Sequence, residues 1–138
     1  MCDVFDVEAP SRDVGCDQDR NVSALAARCP VPVAVHVDLP RRAAPAVEAI
    51  AYFVVAEALT NVARYAQAPE ARVELRSDGD AIVVVVADDG VGGADLSAGS
   101  GLRGLQDRLA VVDGVLAIDS PAGAGTRLEA RIPSPATP

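Results

Sequence analysis

The stretch Ala81 to Ala87 reads AIVVVVA, and such an unbroken apolar, β-branched run constrains the rest of the chain. It is too short for a helix and too uniformly apolar for a half-solvated strand. It is therefore expected to be a central strand, flanked on both edges and covered on both faces. The segments on either side must supply the other strands and the covering layer.

Those segments are legible in order. A short helical pattern runs from Ser23 through Leu25 and Ala27, and Pro30 and Pro32 close it. Val33, Val35 and Val37 then alternate with Ala34, His36 and Asp38, the period of a half-buried strand. Pro45 suits the first turn of a long helix running to about Gln67, before the breaker Pro69. Ala71 to Arg76 and Ala81 to Ala87 form a hairpin across Ser77-Asp78-Gly79-Asp80, where the Asp-Gly pair favours a tight turn. A further helix runs from about Arg103 to Val112. A last hairpin pairs Val115 to Asp119 with Thr126 to Ile132. Strand, long helix, hairpin, helix, hairpin predicts an α+β two-layer sandwich, one mixed sheet with helices on one face.

At 138 residues, half of them hydrophobic, the chain fits one compact domain with one core. Residues 1–22 hold six acids, two arginines and few large apolar groups, so they are expected to be loose, as is the tail 134–138. The domain proper is read as 23–133. No uninterrupted apolar run approaches the roughly 20 residues needed to cross a bilayer, and Met1 to Pro10 lack the basic start of a secretory signal. A cytoplasmic domain without membrane contact of its own is expected. A net charge of -8 disfavours nucleic acid as a partner, because backbone phosphates are bound by clustered Lys and Arg. Cys2, Cys16 and Cys29 are odd in number and lack a CxxC pair, which predicts free thiols rather than a disulfide framework or zinc site.

Four short features carry candidate chemistry. Glu57 and Asn61 lie four apart within an apolar helix, with Arg64 one turn on, so they share a face. A carboxylate and an amide oxygen there suit a magnesium ion bound to phosphate; an ordinary solvated face explains the spacing too. Asp88-x-Gly90-x-Gly92 ends the apolar strand with a carboxylate that can accept from an exocyclic amine such as adenine's, or is a plain turn. Gly99-x-Gly101-Leu102 precedes a helix whose first amides can cradle phosphate, or is a glycine cap. Gly125-Thr126 is either a further ligand contact or part of a hairpin turn. No GxxxxGK[ST] loop and no βαβ-opening GxGxxG occur.

Taken in order, these four features resemble the sequence boxes of the GHKL ATPase superfamily. AYFVVAEALTNVARYA, DDGVGGAD, GSGLRGLQDRL and SPAGAGTRLEARIP are similar to the ATP-binding domains of NarL-type sensor histidine kinases, over about Ala24 to Pro133. The resemblance implies the Bergerat fold, ATP and magnesium as cofactors, and transfer of the γ-phosphoryl group to a histidine. It implies that Asn61 holds magnesium, that Glu57 acts as base or orients the acceptor, and that Arg64 meets phosphate. It further implies that Asp88 reads the adenine amine, Gly90 and Gly92 shape its pocket, and Gly99, Gly101 and Leu102 join a lid, 93–100, to the phosphates. Thr126 would support the Asp88 contact.

Two departures from the family pattern stand out. Tyr65 occupies a position where relatives often carry histidine. Nothing in 1–22 resembles the dimerising helix pair that bears the phosphoacceptor histidine, so a fragment or truncated product is expected, with the histidine domain and a response regulator as separate partners. His36, the only histidine, lies in a strand pattern and does not resemble an acceptor. An alternative reading of the same fold is an anti-sigma-factor-type serine kinase or binding module.

Overall fold

A computed structural model describes residues 16–39, 43–92 and 101–134. The elements are α1 (Cys16–Arg28), β1 (Val33–Asp38), α2 (Pro45–Asn61), a π-helical turn (Val62–Ala66), β2 (Ala71–Asp78), β3 (Ala81–Asp88), α3 (Leu102–Val111), β4 (Val115–Asp119) and β5 (Thr126–Pro133). The sheet order is β1-β2-β3-β5-β4, with β1 parallel to β2 and the other pairs antiparallel. This is the mixed α+β sandwich expected, and β3 is its middle strand.

Every residue from Ala81 to Ala87 is buried, but the two faces are covered differently. Ile82, Val84 and Val86 join the core beneath the helices, with Val73, Leu75, Leu128, Ala130 and Ile132 from the flanking strands. Val83 and Val85 point the other way, at 0% and 1% exposure. Their cross-strand neighbours are Arg76 and Arg131, and Glu74 and Glu129, long side chains whose stems can lie over a valine while their heads stay in water. Ion pairs Arg76–Glu74 at 3.5 Å and Arg127–Glu129 at 2.8 Å hold those heads in place. Exposed pairs of this kind add little themselves; burying each valine contributes about 2 kcal/mol.

α2 is apolar on most sides because it packs against α1, α3, β3 and β5. By length and composition alone Pro45–Arg64 could cross a membrane. Here Val47, Ala51, Val54, Val55, Ala58 and Leu59 are buried within the fold, as in a core helix. Its last turn widens to π geometry and ends at Gln67 in the left-handed region, φ 51°. Arg108 of α3 stacks on the Phe53 ring at 4.2 Å, fixing the two helices to each other.

Of the segment 1–22 expected to be loose, residues 1–15 lie outside the described residues, and residues 16–22 are instead the start of a helix. α1 begins at Cys16, and Val22 and Ala26 are fully buried with Cys29 close to it. These three, with Leu25 partly buried against the core, keep the three- and four-residue spacing of one helix face. Of the six acids in 1–22, Asp17 and Asp19 lie within this helix and the other four lie outside the described residues. Cys29 is a buried cysteine in no disulfide; Cys2 and the Cys16 side chain lie outside what is described. His36 is exposed on the sheet face away from the helices.

Candidate functional site

The helix period brings Glu57 and Asn61 to one side of α2, both partly buried, and the π-helical turn carries the exposed Arg64 beyond them. A wide turn rotates the later residues away from the positions a regular helix would give them, and such turns recur at functional sites. Neither Glu57 nor Asn61 has a side-chain hydrogen bond or ion pair among the described residues. Half-buried polar groups without partners are costly, so this pair is suited to a ligand. Nor do three His, Cys, Asp or Glu gather into a metal cluster among the described residues. One carboxylate and one amide oxygen are a donor set for a hard cation that takes its remaining ligands from phosphate and water.

The N-terminus of α3 closes on this pair. Gly101 is the residue before the helix, at φ 92°, and a Cβ there would stand 2.8 Å from Glu57 Oε1. The backbone angle favours glycine, and the atom a Cβ would face is the mobile end of the Glu57 side chain. Among the described residues no side chain caps the helix, and its first amides lack intrahelical partners by geometry. Leu102 and Leu105 are buried beneath them and fix the helix axis. Gly99 and the expected lid, 93–100, lie outside the described residues.

Asp88 ends β3 in register opposite Thr126, two residues on from Val86 and so on the helix-facing side. Its Oδ1 accepts the Gly90 N–H at 2.8 Å, which leaves Oδ2 available in the same plane. The loop beyond it is locked by backbone contact. A side chain on Gly92 would collide with the carbonyl oxygens of Pro121 and Gly125, and one on Gly125 with the Asp88 carbonyl and, at 3.1 Å, with Asp89 Cα. The Gly123 N–H also donates to the Val91 carbonyl at 2.6 Å. Two glycine turns far apart in sequence therefore form one surface beside Asp88. Thr126 is partly buried, and its hydroxyl lies 2.6 Å from that of Ser120.

The arrangement unites an acceptor carboxylate at one strand end, interlocked glycine loops, uncapped helix amides and an unpartnered acid–amide pair. The family of histidine kinase-, DNA gyrase B-, and HSP90-like ATPases matches residues 46–136. The chain belongs to this family. Within it, this ATPase domain is of the sensor-histidine-kinase kind. It is 37% identical over 91 residues to the oxygen sensor histidine kinase NreB of Staphylococcus carnosus, covering 63% of this chain and 26% of that protein. It is 37% identical over 81 residues to the sensor histidine kinase DesK of Bacillus subtilis, covering 56% and 21%. The chain thus spans about a quarter of the length of these relatives.

The ATPase-domain fold recurs in solved structures. The blue-light activated histidine kinase EL346 of Erythrobacter litoralis superposes with a TM-score of 0.69 at 23% identity, covering 88% of this chain and 42% of that one. The ATP binding domain of PrrB from Mycobacterium tuberculosis gives 0.68 at 20% identity, covering 87% and 93%. At these identities the likeness is one of fold.

The expected site residues fall into two groupings: Gly101, with Leu102, against Glu57 on the helix that also carries Asn61, with Arg64 in the turn beyond, and Asp88, Gly90, Gly92 and Thr126 at the end of β3. Sequence reasoning missed Ser120, whose contact with Thr126 depends on how the last hairpin closes, and the Gly101–Glu57 contact, which depends on how α3 packs on α2.

Proposed function

We propose that this domain binds ATP with magnesium and transfers the γ-phosphoryl group to a histidine on a separately supplied dimerisation domain, from which a response regulator takes it. The observation that carries the reading is the seating of Gly101 against Glu57, which brings the uncapped amides of α3 to the polar face of α2. Asp88 accepts the adenine amine through Oδ2 while Gly90 holds Oδ1. Gly90 and Gly92 shape the adenine pocket beside the Gly125 loop. The α3 amides and Arg64 meet the phosphates, Leu102 anchors the amides in place, and Gly99 would complete the lid hinge.

Asn61 would hold the magnesium ion, which supplies charge neutralisation at the phosphates. Glu57 orients the acceptor imidazole or takes its proton, so that the ring nitrogen faces the γ-phosphorus in line. Positioning and charge compensation carry most of such a reaction, and this chain has the groups for both. We place its work in the cytoplasm, where ATP is available.

The test is phosphotransfer from γ-labelled ATP to a sensor-kinase dimerisation domain added in trans. Glu57→Gln is expected to slow transfer about 100-fold while leaving nucleotide affinity within about twofold. Equal rates would remove Glu57 from the mechanism. A wild-type chain that binds ATP but labels no histidine would overturn the transfer reading.

A further inference from the structure

α3 lies on the core through one stripe of leucines, Leu102, Leu105 and Leu109, all buried. Apolar burial is non-directional, so a single stripe holds a helix at its height while contacts on its flanks set its roll and tilt. Arg108 supplies such a contact. Its guanidinium lies over the Phe53 ring of α2, 4.2 Å from the ring centre, and among the described residues it has no hydrogen bond or ion pair.

The helix periods place this contact and the start of α3 on one seam. Arg108 is seven residues on from Gly101, two turns, so both fall on one flank of α3; Phe53 is four residues before Glu57, one turn, so both fall on one flank of α2. Gly101 meets Glu57 at one end, where a Cβ would stand 2.8 Å from Oε1, and Arg108 meets Phe53 at the other. The two ends differ in stiffness. Glu57 presents the mobile end of its side chain, which gives way easily, whereas Phe53 is partly buried against the core and offers Arg108 a fixed face. About 10 Å of helix separates the two ends. A small roll or tilt of α3 moves its first amides, and the stacked pair opposes that motion. Arg108 also stands in the last turn of α3, where any cation favours the helix; that effect needs no ring on α2.

We propose that Arg108 is a positioning residue for phosphate recognition: by stacking on Phe53 it fixes the roll and tilt of α3, and with them the direction of the amides that follow Gly101. The inference rests on the reading that those amides meet the phosphates of a nucleotide. Arg108, two turns away, need touch no ligand. Its effect falls on the phosphate end of the nucleotide and not on the base.

Calorimetric titration with ADP in the presence of magnesium, and NMR titration with adenosine, test this alongside melting curves. The proteins are the full chain, Arg108→Ala, Phe53→Leu and the variant carrying both substitutions. Adenosine keeps the base and lacks the phosphates. Arg108→Ala is expected to weaken ADP binding about threefold to fivefold, the range of one exposed cation–π contact, and to leave adenosine unchanged. Phe53→Leu, which keeps apolar bulk and removes the ring, should weaken ADP by a similar factor. The double variant should lose no more than either single one, because the two residues act through one contact. Losses that multiply in the double variant would mean separate roles and overturn the proposal. Equal weakening of ADP and adenosine would show a general loosening of the domain and overturn it too. Absence of ADP binding by a folded wild type would remove the phosphate reading, and the inference with it. ADP bound equally by wild type and Arg108→Ala would remove the inference alone.

Discussion

Strand β3 is closed at both ends by turns built from aspartate and glycine, and the two turns make different demands on their glycines. At the hairpin end Gly79 has φ 61° and nothing within 4 Å of where a Cβ would stand. At the other end Gly92 and Gly125 have φ 68° and 81°, and a Cβ on either would run into backbone of the opposing loop. The first glycine is needed for its backbone angle alone. The second pair is needed for the angle and for the absence of a side chain, because two loops meet there at backbone distance. The carboxylates differ in the same way. Asp78 has a protein partner, Arg131 at 2.8 Å, whereas Asp88 is held through one oxygen by its own turn. One end is a finished turn, and the other is shaped to receive something.

Gly125→Ala puts the contrast between the two ends under the greatest load. A methyl group that collides with the Asp88 carbonyl, at a strained angle, should cost about 3 kcal/mol of folding stability and disturb Asp88 as well. Chemical denaturation would measure the first, and a loss near zero would mean that the loops do not interlock. Gly79→Ala has only the angle to overcome and should cost about 1 kcal/mol. If both variants lose the same amount, the distinction between the two turns fails.

Asp78→Asn should have the smallest effect, and its dependence on pH is specific. The hydrogen bond and charge of Arg131 hold the Asp78 carboxyl below its ordinary value of 3.8. A lowered folded value means that the contribution is present above about pH 3.8 and is lost as pH falls through the lower folded value. Melting curves of wild type and variant should therefore differ by a constant small amount from neutral pH down to about 4, and converge below it. Because both side chains are exposed, 1 M salt should shrink the difference at neutral pH. A gap that widened on acidification would contradict the assignment.

Legibility in the sequence divides in a similar way, between local signals and long-range contacts. β3 and its hairpins were legible because their signals are local: an apolar run, alternation, an Asp-Gly turn. The candidate groups on α2 were legible because a helix has a fixed period, so Glu57 and Asn61 share a side wherever the helix packs. The start of α1 was not, because the acids of 1–22 outweighed the single large apolar group, Val22, that anchors its first turns. Cover on both faces of β3 was expected, but over Val83 and Val85 its source was not legible: the neighbours there are charged side chains of β2 and β5, which pattern analysis assigns to solvent. The contacts of Gly92 with Pro121, of Gly101 with Glu57 and of Ser120 with Thr126 depend on register and on helix packing, which no short motif encodes.

Whether the Asp88 end of the sheet is a nucleotide site can be asked directly by calorimetry. Wild type and Asp88→Asn are titrated with a non-hydrolysable ATP analogue, with and without magnesium, alongside their melting curves. Magnesium-dependent binding by the wild type is expected, with a loss of about 100-fold or more in Asp88→Asn and nearly equal melting temperatures of the two unliganded proteins. Equal affinity of the two proteins, or no binding by a folded wild type, would contradict a nucleotide site at Asp88.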